Sequence, residues 1–148
     1  GRGLKKGEVI IQTYNPESLA ITAASKYDYE GFFAEEVVFR KLMKYPPFSD
    51  LIQVQFIGEN ESEAEKLALE CKDYLSKKEI DKNENEIFGP KGSHQISKEK
   101  DVFRYSILIK ASKGSRNKYI YYISKYGEFV TSKTKLSFVI DVNPYSGF

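Results

Sequence analysis

Residues 49–148 predict an α+β fold in which an antiparallel sheet carries two helices on one face. Three observations predict it. Ile52, Val54 and Phe56 alternate with Gln53 and Gln55, and Phe103, Tyr105, Ile107 and Ile109 alternate in the same way, the period of strands with one buried face. Residues 63–78 instead place Ala64, Leu67, Ala68, Cys71, Tyr74 and Leu75 at helical spacing. The periods follow one another as strand, helix, strand, strand, helix, strand. That order is the split β-α-β (βαββαβ), ferredoxin-like arrangement.

From the amino end, residues 1–8 are basic and Gly-rich, and Val9, Ile10 and Ile11 form a short apolar run suited to a buried strand. Asn15 is placed to cap a helix with Pro16 at its first position, where a missing N–H costs nothing. Leu19, Ala20 and Ala23 supply one apolar side of that helix. Asp28 caps a second helix with an apolar stripe of Tyr29, Phe32, Phe33 and Val37. Its expected length is roughly 25 Å at about 1.5 Å per residue. Pro46-Pro47 stops it, because proline donates no N–H and pushes its predecessor out of the helical region. After the first strand and its helix, residues 81–86 read as a polar loop. Ile87 and Phe88 open a second strand through Gly89-Pro90, and His94 falls in a loop rich in glycine and lysine. Gly114-Ser115 starts the last helix, with Ile120, Ile123 and Val130 inward, and Leu136, Phe138, Ile140 and Val142 close the sheet.

Composition narrows the function only slightly. With 41% hydrophobic and 30% charged residues, 148 residues can build one compact core and a smaller appendage. The net charge of +2 does not by itself imply nucleic-acid binding. Its distribution says more: residues 88–135 hold eleven Lys and Arg side chains against Glu99, Asp101 and Glu128, a basic field hidden in the whole-chain figure. A single cysteine, Cys71, leaves no disulfide framework and no Cys-based zinc site, so no metal site is expected. Without an apolar run of about 18 residues or a signal-peptide pattern, the expectation is a soluble cytoplasmic protein without membrane contact.

Nucleotide hydrolysis has no centre here. A P-loop needs glycines that expose backbone N–H groups, followed by Lys and Ser/Thr, and no such run occurs. Ser-His-Asp chemistry would depend on His94, the only histidine, which is better read as a solvated loop residue. Glu35-Glu36 is better explained as acid favoured near a helix start than as an acid–base pair. Tyr119, Tyr121, Tyr122 and Tyr126 offer stacking surfaces for bases, but their spacing turns half of them toward the core.

Several short motifs in fixed order carry a more specific signal. Residues 7–16, GEVIIQTYNP, are followed by Asp28-Tyr29, Phe33, Glu36, Arg40 and Tyr45-Pro46-Pro47-Phe48. Gly89-Pro90, Phe103-Arg104-Tyr105 and Asp141-Val142-Asn143-Pro144 come after them. Across essentially the whole chain this resembles the carboxy-terminal part of the primosomal replication-restart helicases, the PriA family. One departure is Lys91-Gly92-Ser93-His94, where that family has small apolar residues after Gly-Pro.

The resemblance implies an ATP-dependent, 3′ to 5′ DNA helicase of which this chain is a fragment. Residues 1–27 would end the second RecA-like lobe, including a remnant strand, 28–48 would be a connecting helix and turn, and 49–148 the carboxy-terminal domain. Gly1-Arg2-Gly3 resembles the end of the Gln-x-x-Gly-Arg-x-Gly-Arg helicase motif, making Arg2 the ATP-contacting arginine of the full-length protein. ATP, magnesium and zinc are implied for that longer protein and no cofactor for this piece. The implied partners are branched and single-stranded DNA, the acidic tail of the single-strand-binding protein, and other primosome proteins. Lys91, Lys98, Lys100, Arg104 and Lys110 are the candidate DNA contacts. Arg116, Lys118, Tyr119 and Ile120 are the candidate partner site, Arg116 matching a basic position that grips the tail in the family. The alternative is a stand-alone ferredoxin-like domain that binds RNA or the ribosome.

Overall fold

The computed structural model describes residues 7–80, 83–96 and 101–144, with the side chains of 94–96 left aside. The chain forms two compact units, Gly1–Leu42 and Met43–Phe148.

In the first unit, Val9, Ile10 and Ile11 are in no strand and are 76%, 85% and 43% exposed. The remnant strand expected there does not form. A strand is held by hydrogen bonds to neighbouring strands, and the described part of this unit offers none. Helix α1 spans Leu19–Lys26 and is capped by Ser18, whose hydroxyl accepts from the Ile21 N–H at 3.3 Å. Asn15 instead opens the preceding turn, its carbonyl accepting from Ser18 N–H. Tyr27, at φ 56°, ends α1 in the left-handed region. Asp28 then caps helix α2, Tyr29–Leu42, by accepting from Gly31 N–H at 2.9 Å. Fourteen residues make α2 about 21 Å long, shorter than expected, because the helix stops before Lys44 at φ 50°. Its stripe is split: Phe32 and Val37 are half-buried, whereas Tyr29 and Phe33 stack on one another in the open.

In the second unit the strands are β1 (Asp50–Gly58), β2 (Glu86–Ile96), β3 (Asp101–Ala111) and β4 (Ser137–Val142). Helix α3 (Glu61–Ser76) follows β1, and α4 (Arg116–Lys133) follows β3. The sheet order is β2-β3-β1-β4 with every neighbouring pair antiparallel, the ferredoxin-like order expected. Pairs such as Val54 with Ile107 and Phe56 with Phe138 point toward the helices. The core is Ile52, Val54, Phe56, Ile107 and Ile109 under Leu67, Ala68, Cys71 and Leu75 of α3 and Tyr119, Ile123, Tyr126 and Val130 of α4. Tyr126 remains in this core because its hydroxyl donates to the Leu67 carbonyl at 3.1 Å. Gly127 permits the close contact of α4 with β4: a Cβ there would lie 2.5 Å from the Phe138 ring.

Two local features depart from expectation. The loop predicted around His94 is strand backbone, with His94 paired to Phe103. A register shift between Phe88 and Lys91 absorbs Gly89 and the cis Pro90, so pairing resumes beyond them. The polar loop before β2 holds a buried hub, since Asn85 accepts from Ser112 N–H at 2.7 Å and donates to Ser115 Oγ at 3.2 Å. That hub anchors the start of α4, where Ser115 makes no side-chain cap of its own.

Candidate functional site

Alternation along β3 decides which basic side chains share a surface. Tyr105, Ile107 and Ile109 face the helices, so Arg104, Ser106, Leu108 and Lys110 lie on the opposite face of the sheet. Lys91 pairs with Ser106 and Ser93 with Arg104, which brings Lys91 and Arg104 onto that face as diagonal neighbours. Lys91 is exposed and Arg104 half-buried. The Nε of Arg104 is buried without a hydrogen-bond partner, an uncompensated donor next to a solvent-accessible face.

Lys110 shares the face and not the accessibility. It is only 7% exposed, and its ammonium donates to the Met43 carbonyl at 3.1 Å while lying 4.3 Å from the Tyr45 ring centre. The Phe88 ring is 5.2 Å away on the same ammonium. Cation–π attraction and this hydrogen bond commit Lys110 to holding the residues around Tyr45 on the sheet. Lys98, Lys100 and Arg2 lie outside the described residues.

The four candidate partner residues do not form one cluster. Positions two apart on a helix point in nearly opposite directions, and Arg116 and Lys118 do so. Arg116 Nε lies 4.0 Å from the Asp50 carboxylate at the start of β1. Asp50 also accepts from the Asn143 side-chain amide at 2.9 Å, and Asn143 Oδ1 accepts from Leu51 N–H at 2.9 Å. Lys118 lines a shallow hollow with Glu79, Asn117, Tyr121 and Tyr122. Tyr119 is 4% exposed and belongs to the core, where burial raises its hydroxyl pKa, and Ile120 is half-buried against the same core.

Among the described residues no three His, Cys, Asp or Glu side chains come together in a way that could hold a metal ion. Burial pushes the Cys71 thiol up to about 12, so it packs as a small apolar side chain. No helix among the described residues is long and apolar enough to cross a membrane.

Comparison with known sequences decides the family. The model of the primosomal protein N C-terminal domain matches residues 41–145. This chain belongs to that family. The replication restart protein PriA of Synechocystis is 35% identical over 150 residues, covering 99% of this chain and 17% of that protein. PriA of Chlamydia pneumoniae is 32% identical over 152 residues, with 100% and 19% covered, and PriA of Bacillus subtilis is 31% identical over 146 residues, with 98% and 18% covered. The chain therefore spans less than a fifth of the length of these relatives and corresponds to the C-terminal part of a PriA-type protein. Membership links it to the primosome and to DNA replication.

Within this PriA C-terminal domain, sequence reading missed the roles of Asp50, Asn85 and Asn143. Asn143 was visible as part of Asp-Val-Asn-Pro, but its job depends on β4 lying beside β1. Asn85 carried no local signal, because its partners Ser112 and Ser115 are about 30 positions away.

Proposed function

We propose that this chain is the non-catalytic DNA- and partner-binding part of an ATP-dependent 3′ to 5′ DNA helicase that acts in replication-fork restart and primosome assembly in the bacterial cytoplasm. The observation that carries the reading is that Lys91 and Arg104 are diagonal neighbours of the β2-β3 strand pair, on the face of the sheet opposite α3 and α4. Arginine and lysine on one strand pair suit successive phosphates of branched or single-stranded DNA. ATP, magnesium and zinc belong in this reading to the rest of the longer protein. Arg2 would reach ATP only there.

Partner binding in this reading centres on Arg116. Its planar fork suits the terminal carboxylate of the acidic tail of the single-strand-binding protein, and its neighbour Asp50, 4.0 Å away, orients it. Ile120 would contribute at the edge, Lys118 points to the other side of α4 and lies outside this site, and Tyr119 supports the helix from within the core. Other primosome proteins are further partners of the longer protein. The experiment is fluorescence anisotropy of labelled fork and single-stranded DNA with the wild-type chain and with Lys91→Ala/Arg104→Ala. Weaker binding by the double variant supports the reading, and equal binding rejects this face.

A further inference from the structure

The turn of α4 that buries Tyr119 and Tyr126 leaves Tyr121 on the outside, 59% exposed. Tyr121 meets Tyr122 edge to face at 5.4 Å between ring centres. Tyr122 in turn is backed by Tyr74 of α3 at 6.4 Å, and the Lys78 ammonium lies 4.0 Å from the Tyr74 ring centre and 5.0 Å from that of Tyr122. This aromatic wall is therefore fixed from behind by packing and by a cation. In front of it lies a hollow of about 420 Å³ lined by Glu79, Asn117, Lys118, Tyr121 and Tyr122. That volume is within the range of about 300–1,000 Å³ usual for small-ligand clefts.

We infer that this hollow is a pocket for one unpaired base of single-stranded DNA, with the base stacked on Tyr121 and its phosphate at Lys118. The inference rests on the DNA-binding reading and adds a base contact on a different part of the domain. The composition of the hollow favours a base over other occupants. Asn117 carries both a donor and an acceptor, Glu79 accepts only, and Lys118 donates only, so the rim can pair with the mixed edge of a base and with a phosphate. An acidic peptide tail would place its carboxylates next to Glu79, and a duplex keeps its bases inside the stack. Stacking on tyrosine tolerates any base, so the pocket adds affinity with little sequence preference.

The test uses the full chain and labelled single-stranded oligonucleotides, one with all its bases and one of equal length that is abasic. Tyr121 is exposed, so Tyr121→Ala is expected to leave the fold intact, and Tyr121→Phe keeps the ring. Tyr121→Ala should weaken binding of the normal oligonucleotide by about thirtyfold, the middle of the range for loss of one stacked base. Tyr121→Phe should bind like wild type, and the abasic strand should bind wild type and Tyr121→Ala equally. Equal binding of the normal strand by wild type and Tyr121→Ala overturns the pocket, as does loss in Tyr121→Phe equal to that in Tyr121→Ala. If Lys91→Ala/Arg104→Ala weakens binding while Tyr121→Ala does not, the pocket alone fails. Absence of any binding by wild type rejects the DNA-binding reading together with it.

Discussion

Asn143 ties the last strand to the first, and Asn143→Ala should remove a measurable part of the stability of the sheet. The side chain makes two bonds, accepting from Leu51 N–H and donating to the Asp50 carboxylate, both at 2.9 Å. Each is worth a net of about 0.5–1.5 kcal/mol, and exposure of the site keeps them at the low end. The backbone of Asn143 sits at φ 55°, a region that asparagine tolerates and that costs other L-residues about 1–2 kcal/mol. Together these give a loss of about 2–3 kcal/mol, against a typical stability of about 5–15. Asn143→Gly loses the same side-chain bonds but not the backbone preference, so it should be more stable than Asn143→Ala by about 1 kcal/mol. Urea denaturation of the three proteins, with unchanged m-values, measures both differences. Asn143→Ala within about 0.5 kcal/mol of wild type, or Asn143→Gly less stable than Asn143→Ala, would refute this reasoning.

Ile107 is fully buried in the core, so Ile107→Asp should unfold the domain, because an unpaired buried carboxylate costs several kcal/mol; an unchanged far-UV spectrum and melting temperature would reverse the assignment of faces. Burial raises the Cys71 pKa, so the folded state holds its proton more tightly than the unfolded chain does. The stability this represents is full below the unfolded value near 9 and declines as pH rises from there toward about 12. Cys71→Ala should flatten that decline, and identical alkaline profiles would remove the thiol as a cause. Arg116→Ala should weaken binding of an acidic tail peptide by about tenfold or more, the value of a charge-assisted bond. A titration in which a peptide lacking its terminal residue binds as well as the intact one would eliminate the carboxylate mechanism.

Much of the domain was legible because its sheet has one dry face. Alternation at Ile52, Val54 and Phe56 and at Tyr105, Ile107 and Ile109 reports a burial pattern that no other period satisfies. The apolar run at residues 9–11 misled, since hydrophobicity cannot say whether neighbouring strands exist to pair with it. His94 was read as a loop residue because glycines surround it, whereas the register shift at Gly89-Pro90 lets the strand resume. At the candidate site, charge identified the basic field but not its geometry. Lys110 looked like a surface cation and is folded inward by Tyr45 and Met43, residues more than 60 positions away. Arg116 and Lys118 are adjacent in pattern but lie on different sides of α4, a separation that helical geometry alone could have revealed.

The most direct test of the account is the salt dependence of single-strand binding by this chain and by Lys91→Ala/Arg104→Ala. Log affinity should fall linearly with log salt between about 50 and 200 mM, with roughly 0.7 of slope for each phosphate contact. Removing both cations should therefore reduce the slope by about 1.4. A wild-type affinity that does not change with salt, or a slope that is the same in the double variant, would contradict a DNA-binding role for this face of the sheet.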